Sequence, residues 1–371
     1  MKILHLVSGG DTGGAKSHII SLTKELDKLM DIKIICLIED IFYYDVLEAG
    51  VNIEVFEQKK RYDMSVINKL KYEIVNGKYD IVHCHGARAN FIAMFLKKKI
   101  NIPIITTIHS DYKLDFKDNF YKRIVYTTIN SMALKKFDYY IAVSDAFKEM
   151  LLDRGFKKDK IFTVYNGIDL NNKMDFVSKE EFFNRYNIPY ENKIIVGIAA
   201  RLDLVKDHET FINAANNVLK HRQDIIFLIA GTGNNEKRLK DLVREMEIED
   251  YVYFLGFVQD KYSFFNAIDI NVLTSVSESF PYVILEGARL KKPVISTDVG
   301  GINNLIENEH NGWLIDIGDS KALTEKILFF MNNKDVIEVM GKNLFESVKS
   351  NFSSKKMAEE HEKIYKKILK N

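Results

Sequence analysis

Short apolar runs rich in β-branched residues alternate along the chain with longer segments whose apolar residues recur at helical spacing. Parallel strands joined by helices produce this pattern, whereas hairpins do not. A first series of strands is predicted at residues 3–7, 32–38, 81–84, 104–108, 139–143 and 161–164. A second series is predicted at residues 194–199, 225–230, 251–255, 270–273 and 293–297. The pattern therefore indicates an α/β protein with two parallel sheets.

The break between the two series indicates two domains. A chain of 371 residues exceeds what one hydrophobic core usually organises. A polar stretch begins near residue 170, after the first strand series. We predict an N-terminal domain at 1–170, a C-terminal domain at 171–352, and a terminal helix at 353–371 that packs back toward the N-terminal domain. Both domains are expected to be Rossmann-like.

Charge and cysteine content narrow the class of protein. The 53 Lys and Arg residues against 52 Asp and Glu give a net charge of +1, which argues against nucleic acid as a partner. Cys36 and Cys84 both lie in apolar strand-like runs, so buried thiols and a cytoplasmic location are expected. The apolar run at the start is too short for a signal peptide, and we predict no membrane-spanning segment.

Open parallel sheets bind ligands beyond the carboxyl ends of their strands, so the residues that directly follow each strand are of interest. After the second series these are Arg201, residues 231–233, Gly256, Glu278 and residues 298–301. All of them are expected along one edge of the C-terminal sheet.

Arg201 and Lys206 follow a predicted strand and precede a predicted helix at residues 209–220. A guanidinium and an ammonium group at one helix N-terminus form an anion site suited to a diphosphate. The alternative is a solvated charge pair on a loop. The glycines Gly231 and Gly233 could let the backbone approach a ligand, but glycine turns are common after strands.

Glu278 and Glu286 lie eight positions apart, after the apolar run 270–273, and Pro281 between them is suited to start a helix. One carboxylate would come from the loop and the other from the helix. Two such hydrogen-bond acceptors suit a ligand rich in hydroxyl groups.

The first strand runs into a loop with Gly9, Gly10, Gly13 and Gly14, whose amides could meet an anion. Ala15 stands where a P-loop requires Lys, and the glycine spacing does not match the dinucleotide-binding fingerprint. A phosphate-contacting loop of another kind, or simple tight turns, remain as interpretations.

His109 ends a predicted strand and could hydrogen-bond a sugar hydroxyl. His83, Cys84 and His85 alternate across the preceding strand, which makes them poor joint metal ligands. No metal site is predicted.

Taken together, these motifs resemble the retaining glycosyltransferases of the GT-B fold, specifically glycosyltransferase family 4. The likeness covers nearly the whole chain, in the order Gly13 and Gly14, His109, residues 166–169, Arg201 with Lys206, residues 231–233, Glu278 with Glu286, and residues 298–301.

The resemblance implies a role for each matching position. Arg201 and Lys206 would hold the diphosphate of a nucleotide sugar, and Glu286 the ribose hydroxyls. Glu278, with the amides of Ser279 and Phe280, would hold hydroxyls of the transferred sugar. The remaining donor contacts would come from Gly13 and Gly14 to the distal phosphate, Gly231 in the glycine turn, His109 to the sugar, and the backbone at Phe257 and Val258 to the base. No cofactor or metal is implied, because cationic groups neutralise the leaving group.

The expected activity is transfer of a hexose-type sugar from a UDP-linked donor to an acceptor hydroxyl, with retention, in polysaccharide or glycolipid synthesis. Phe280 replaces a glycine usual in the family, and Ala200 stands at a position usually occupied by glycine or another small residue, so a narrower sugar pocket is expected. A glycoside hydrolase that uses the two carboxylates and a catalytically silent nucleotide-sugar-binding protein are the alternatives.

Residues 97–136 carry nine basic side chains against three aspartates. This segment is either a solvated helical face or a contact with anionic membrane lipid that brings a lipid-linked acceptor to the enzyme.

Overall fold

The computed structural model describes residues 1–10, 13–60, 63–111, 113 and 120–370. The chain divides into two compact units, one formed by residues 1–169 together with 353–371 and the other by residues 170–352. We call them the N-terminal and the C-terminal domain.

The N-terminal domain is built on a seven-stranded parallel sheet in the order β3-β2-β1-β4-β5-β6-β7. Its strands are β1 Lys2–Val7, β2 Asp31–Cys36, β3 Ile53–Val55, β4 Ile81–His85, β5 Ile104–Ile108, β6 Tyr139–Ala142 and β7 Ile161–Thr163. The helices between them are α1 Gly14–Leu26, α2 Ile41–Glu48, α3 Val66–Gly77, α4 Ala87–Leu96, α5 Phe120–Leu134 and α6 Asp145–Asp153.

The C-terminal domain has a six-stranded parallel sheet in the order β10-β9-β8-β11-β12-β13. Its strands are β8 Ile194–Ala199, β9 Ile225–Ala230, β10 Val252–Gly256, β11 Ile270–Leu273, β12 Val294–Thr297 and β13 Gly312–Ile315. The helices are α7 Lys179–Tyr186, α8 His208–Leu219, α9 Glu236–Glu245, α10 Lys261–Ala267, α11 Tyr282–Arg289, α12 Ser320–Asn332 and α13 Lys334–Asn351.

The predicted α/β class with two parallel sheets is confirmed, and every predicted strand is present within two residues at either end. The sequence pattern missed β3 and β13, which form one edge of each sheet. β3 has only three residues, and its middle residue is the exposed Glu54, so it lacks the apolar run that marks the other strands.

Both faces of the N-terminal sheet are covered, as parallel strands require. Along β1, Leu4 and Leu6 belong to one apolar cluster, whereas Ile3 and Val7 belong to the other. This alternation is why β1 reads as a continuous apolar run, and it places His5 on the same face as Ile3 and Val7.

The last helix, α14 Ser354–Lys370, packs on α1 within the N-terminal domain. The chain enters it beside Gly167, where an added Cβ would lie 2.4 Å from the carbonyl oxygen of Ser353. The side chain of Tyr365 is fully buried, and its hydroxyl lies 2.6 Å from Nδ1 of His83 on β4. The helix is therefore part of the N-terminal core.

The substitution Tyr365→Phe is expected to lower the free energy of unfolding by about 1–3 kcal/mol, because it leaves the buried Nδ1 of His83 without its partner. Chemical denaturation followed by circular dichroism measures the loss. Tyr72→Phe is the control, since Tyr72 is 71% exposed. Equal stabilities for the Tyr365→Phe variant and the wild type would contradict the assignment.

Candidate functional site

The carboxyl ends of β8 and β11 form the topological switch point of the C-terminal sheet. From β8 the chain proceeds to β9 and β10 on one side, whereas β11, β12 and β13 lie on the other. The loops after two such neighbouring strands run in opposite directions and leave a crevice between them. Ligands of open α/β sheets bind in this crevice. Arg201 and Lys206 follow β8, and Glu278 follows β11.

The loop after β8 holds its two cationic side chains differently. Asp203 accepts hydrogen bonds from the amides of Val205 and Lys206 at 3.1 and 3.2 Å, which stabilises a single 3₁₀ turn at Leu204–Lys206. The guanidinium of Arg201 lies 3.0 Å from the carboxylate of Asp203, and the Arg201 side chain is 76% exposed. Lys206 is thus fixed by the turn, whereas Arg201 extends into solvent.

The loop after β11 is joined to the loop after β8 by hydrogen bonds. The hydroxyl of Thr274 lies 3.0 Å from the carbonyl oxygen of Lys206 and 2.9 Å from that of Asp207. The amide of Val276 donates to the carbonyl of Val205 at 2.8 Å. These contacts set the distance between the cationic and the acidic side of the crevice.

Lys206 and Glu278 are in direct contact. Nζ of Lys206 lies 2.5 Å from Oε1 of Glu278, which also accepts a hydrogen bond from the hydroxyl of Ser275 at 2.6 Å. Both charged side chains are largely buried. The sequence analysis assigned Lys206 to an anion and Glu278 to hydroxyl groups, whereas the structure brings the two side chains into one ion pair.

The backbone at Glu278 is held by the loop after β12. Gly300 has φ of 60°, and an added Cβ would lie 1.7 Å from the carbonyl oxygen of Glu278. The amide of Gly301 donates to the carbonyl of Ser279 at 3.0 Å. Only glycine permits this approach, so Gly300 contributes by packing against the acidic loop.

The side chain of Phe280 lies in the domain interior. It is 1% exposed, and its ring centroid is 5.2 Å from that of Phe352. The expectation that Phe280 narrows an open sugar pocket is therefore wrong, because the aromatic ring packs into the core.

Glu286 lies on α11 and is 6% exposed. Its carboxylate accepts a hydrogen bond from Nζ of Lys261, the first residue of α10, at 2.6 Å. Burial lowers the pKa of Lys261, but the Glu286 carboxylate outweighs this effect and holds that pKa above its ordinary value. Sequence reasoning missed Lys261, although a buried carboxylate calls for a cation nearby.

Two further predicted donor contacts follow β9 and β10. An added Cβ at Gly231 would lie 1.9 Å from the carbonyl oxygen of Ala200, so this glycine allows the loop after β9 to pack on the loop after β8. Phe257 is 77% exposed, and Val258 is partly buried against the apolar core. Phe257 and Val258 lie in the loop between β10 and α10, and α10 carries Lys261.

In the N-terminal domain, Gly13 caps helix α1 with a φ of 64°, and Gly14 is the first residue of that helix. Their amides are therefore at a helix N-terminus, as an anion site requires. Asp11 and Thr12 of the same loop lie outside the described residues.

His109 directly follows β5, and its Nε2 lies 3.1 Å from Nδ1 of His85. Burial lowers the pKa of His109 to about 4, so its ring is neutral near pH 7. His83 and His85 point to the same face of β4, with ring centroids 4.3 Å apart. Cys84 lies on the opposite face, in the apolar cluster with Leu4 and Leu6, so the three residues do not act together as ligands, whereas His83 and His85 lie side by side.

The basic segment 97–136 is only partly described. Lys97 pairs with Asp138 at 2.5 Å, and Lys99 donates to Asn68 at 3.0 Å. Lys117 lies outside the described residues, whereas Lys122 and Arg123 fall in α5. Among the helices that the structure describes, none has the length and apolar character needed to cross a bilayer.

Comparison with known proteins agrees with this architecture. The family model "Glycosyltransferase Family 4" matches residues 12–172, and the model "Glycosyl transferases group 1" matches residues 178–346. A solved structure of HepE from Anabaena in complex with UDP-glucose superposes with a TM-score of 0.85 at 21% identity, covering 99% of this chain and 100% of that one.

Two curated relatives from Escherichia coli are similar over most of their length. The O-antigen biosynthesis glycosyltransferase WclY is 26% identical over 100% of this chain and 99% of its own. The UDP-Gal:alpha-D-GlcNAc-diphosphoundecaprenol alpha-1,3-galactosyltransferase is 24% identical over 83% of this chain and 81% of its own.

Two Rossmann-like domains with parallel sheets, and a charged site at the switch point of the second, define an enzyme of the GT-B class. The chain belongs to the group 1 glycosyltransferases, whose two family models together span most of its length.

His208, the first residue of α8, was not identified from the sequence. Its ring is 1% exposed, and neither ring nitrogen has a partner among the described residues. Burial lowers its pKa to about 4, with Asp203 opposing and Lys206 adding to the effect. The imidazole is thus neutral beside Lys206.

The folded-state pKa of His208 lies below the unfolded value of 6.5, so the unfolded chain binds the extra proton as the pH falls. Stability is expected to fall from about pH 6.5 toward pH 4, with His208 contributing roughly 3 kcal/mol. His208→Phe should make this dependence shallower in urea titrations at several pH values. An unchanged slope would contradict the assignment.

Proposed function

We propose that this enzyme transfers a hexose-type sugar from a UDP-linked donor to an acceptor hydroxyl with retention at the anomeric carbon. The observation that carries the proposal is the contact of Lys206, Ser275 and Glu278 at the switch point of the C-terminal sheet. A cation and a hydrogen-bond acceptor side by side match the adjoining phosphate and hydroxyl groups of a sugar nucleotide.

In this proposal the donor separates the ion pair. Its diphosphate takes the ammonium of Lys206, and a sugar hydroxyl takes the carboxylate of Glu278. Since both side chains are already largely buried, each exchanges one hydrogen-bond partner for another with little further loss of hydration. The amides of Ser279 and Phe280, held by Gly301 and the loop after β12, complete the sugar contacts.

Arg201 supplies the second positive charge. Its high exposure leaves the guanidinium able to swing from Asp203 onto a phosphate, which it can bind with two parallel hydrogen bonds. As the bond between sugar and phosphate breaks, negative charge grows on the leaving oxygen. Arg201 and Lys206 stabilise that charge more in the transition state than in the ground state, which lowers the barrier.

The other end of the donor lies along α11 and the loop before α10. Glu286, which is paired with Lys261, accepts hydrogen bonds from the two ribose hydroxyls. The backbone at Phe257 and Val258 meets the base, while Gly231 shapes the turn beside Arg201.

In the N-terminal domain, the amides of Gly13 and Gly14 at the start of α1 can bind a phosphate. His109 can bind a sugar hydroxyl. Its neutral ring has both a donor and an acceptor nitrogen, so it can bind a hydroxyl without adding a positive charge beside a cationic transition state.

The proposed chemistry at the diphosphate requires no metal, because Arg201 and Lys206 supply the positive charge. No side chain is assigned as a nucleophile, so the leaving phosphate itself takes the proton of the acceptor hydroxyl on the same face. Membership in a transferase family favours sugar transfer over hydrolysis by the two carboxylates.

The acceptor is proposed to be lipid-linked, in the synthesis of a cell-surface polysaccharide. One curated relative is named for O-antigen biosynthesis and another for a diphosphoundecaprenol acceptor. The basic segment 97–136 would contact anionic lipid at the inner face of the membrane, because lysines near a negative surface each add a small attraction.

Arg201→Ala and Glu286→Gln are expected to lower kcat/KM for the UDP-sugar more than about 10-fold, because each removes a contact to a charged group worth over about 1.4 kcal/mol. Release of UDP measures turnover, and thermal shift across nucleotide sugars measures donor binding. Arg238→Ala is the matched control, since Arg238 is an exposed arginine in the same domain whose ion pair is with Glu209. Activity within 10-fold for both site variants would refute these roles.

Donor binding without transfer or hydrolysis would indicate a catalytically silent binding protein.

Co-sedimentation with vesicles tests the membrane contact. Binding to vesicles with anionic lipid should exceed binding to neutral ones and should weaken as salt increases, because the attraction is screened. Replacing Lys135 and Lys136 by Glu should reduce the bound fraction, since both side chains are exposed. Equal recovery with both kinds of vesicle would dismiss the contact.

A further inference from the structure

Six of the nine histidines in the chain lie together in the N-terminal domain. They come from two strands, one loop and two helices, namely His5, His18, His83, His85, His109 and His361. Neighbouring rings have centroids 4.3–6.0 Å apart. Sugar transfer as proposed uses only His109, so the remaining rings call for another explanation.

His18 directs a free nitrogen into this cluster. Its Nδ1 lies 2.8 Å from Oδ1 of Asn166, an oxygen that can only accept, so Nδ1 carries the ring proton. The lone pair is therefore on Nε2, which is fully buried and has no hydrogen-bond partner among the described residues. A buried acceptor nitrogen without a hydrogen-bond donor is energetically unfavourable.

His85 and His109 offer two more nitrogens beside His18. Nδ1 of His85 lies 3.1 Å from Nε2 of His109, and one ring nitrogen from each of the three residues lies within 4.8 Å of the other two. A tetrahedral ion with metal–nitrogen bonds of about 2.0–2.1 Å holds its ligand nitrogens about 3.3 Å apart. Small ring rotations therefore suffice to bring the three nitrogens around one ion.

A second group of three, His5, His83 and His85, is equally close but less suitable. Both ring nitrogens of His83 are engaged, Nδ1 with the hydroxyl of Tyr365 at 2.6 Å and Nε2 with that of Thr107 at 2.7 Å. His83 would have to give up a buried hydrogen bond to a residue outside the group, whereas the contact that His85 would give up is the one to His109, itself a ligand of the first group.

The surroundings of the first group match those of metal-binding histidines. Such ligands hold a hydrogen bond through their other ring nitrogen. Asn166 serves His18 in this way, and Nε2 of His85 lies 3.0 Å from Nδ1 of His5. Burial lowers the pKa of each of the three rings, so all are neutral near pH 7, the form that binds a metal.

We propose that His18, His85 and His109 form a binding site for a divalent transition metal ion of the zinc type. Imidazole ligands select zinc, cobalt, nickel or copper over magnesium and calcium, which prefer oxygen. His109 is only half-buried, which provides a route of entry and leaves the fourth position to water. His109 is also the residue assigned to the sugar contact, so the ion and the sugar hydroxyl would use different ring nitrogens of His109. Metal binding is tested without substrate, so its outcome does not depend on the proposed sugar transfer.

The test is titration of the full-length chain, freed of metal with a chelator, with Co²⁺ and Zn²⁺. One equivalent of Co²⁺ should produce the visible absorption of a four-coordinate ion, and Zn²⁺ should displace it. Mg²⁺ should do neither. Absence of that absorption together with no Zn²⁺ binding by calorimetry would overturn the proposal, whatever the enzymatic activity.

Variants locate the site. His109→Ala and His18→Ala should weaken Zn²⁺ binding more than about 100-fold, since each removes a ligand, and loss of a supporting contact alone costs about 10–100-fold. His221→Ala is the control, because His221 is exposed and lies in the other domain. Circular dichroism shows whether each variant is folded. If His18→Ala unfolds because His18 is buried, the Zn²⁺ affinity of the His109→Ala variant tests the site by itself. Unchanged affinity in a folded His109→Ala variant, or equal loss in His221→Ala, would refute the assignment.

Discussion

The ion pair between Lys206 and Glu278 is the interaction around which the C-terminal site is organised. A largely buried ammonium or carboxylate without an opposite charge would be strongly destabilising, so each side chain determines where the other can lie. The hydroxyl of Thr274 and the amide of Val276 hold the two loops at that spacing. Strand β8 beside β11 brings the loops together in the first place.

The same requirement for a partner explains Glu286 and Lys261. Helix α11 places Glu286 where almost no water reaches it, and the first residue of α10 supplies the cation. Each pair combines a residue from one side of the sheet's switch point with a residue from the other side. The charged groups that we propose to bind a sugar nucleotide are also the groups that keep their own loops in place.

In the N-terminal domain, the clustered polar groups are histidine side chains rather than ion pairs. Their rings are neutral, because burial disfavours the charged form of imidazole. Tyr365, Asn166 and the carbonyl of Met357 satisfy one nitrogen each of His83, His18 and His361. Helix α14 therefore contributes polar contacts as well as apolar packing to a domain whose other residues, 1–169, all precede the C-terminal domain in the chain.

Much of the architecture follows from the sequence by itself. The apolar runs determined eleven strands and their parallel pairing, since a strand buried on both faces must be apolar throughout. They also placed Arg201, Lys206, Glu278 and the glycine turns beyond strand ends, because that position depends only on where each run stops. The short edge strands β3 and β13 escaped detection, since a brief run carries too little pattern.

Only the tertiary structure decided which side chains meet. Lys206 and Glu278 are 72 positions apart, and no local pattern predicts that their charges neutralise each other. The interior position of Phe280, the partner of Glu286 and the gathering of six histidines likewise depend on strand order and helix packing. Periodicity reports which face of an element is buried, whereas contact between distant residues arises when the sheets assemble and bring separate loops to one edge.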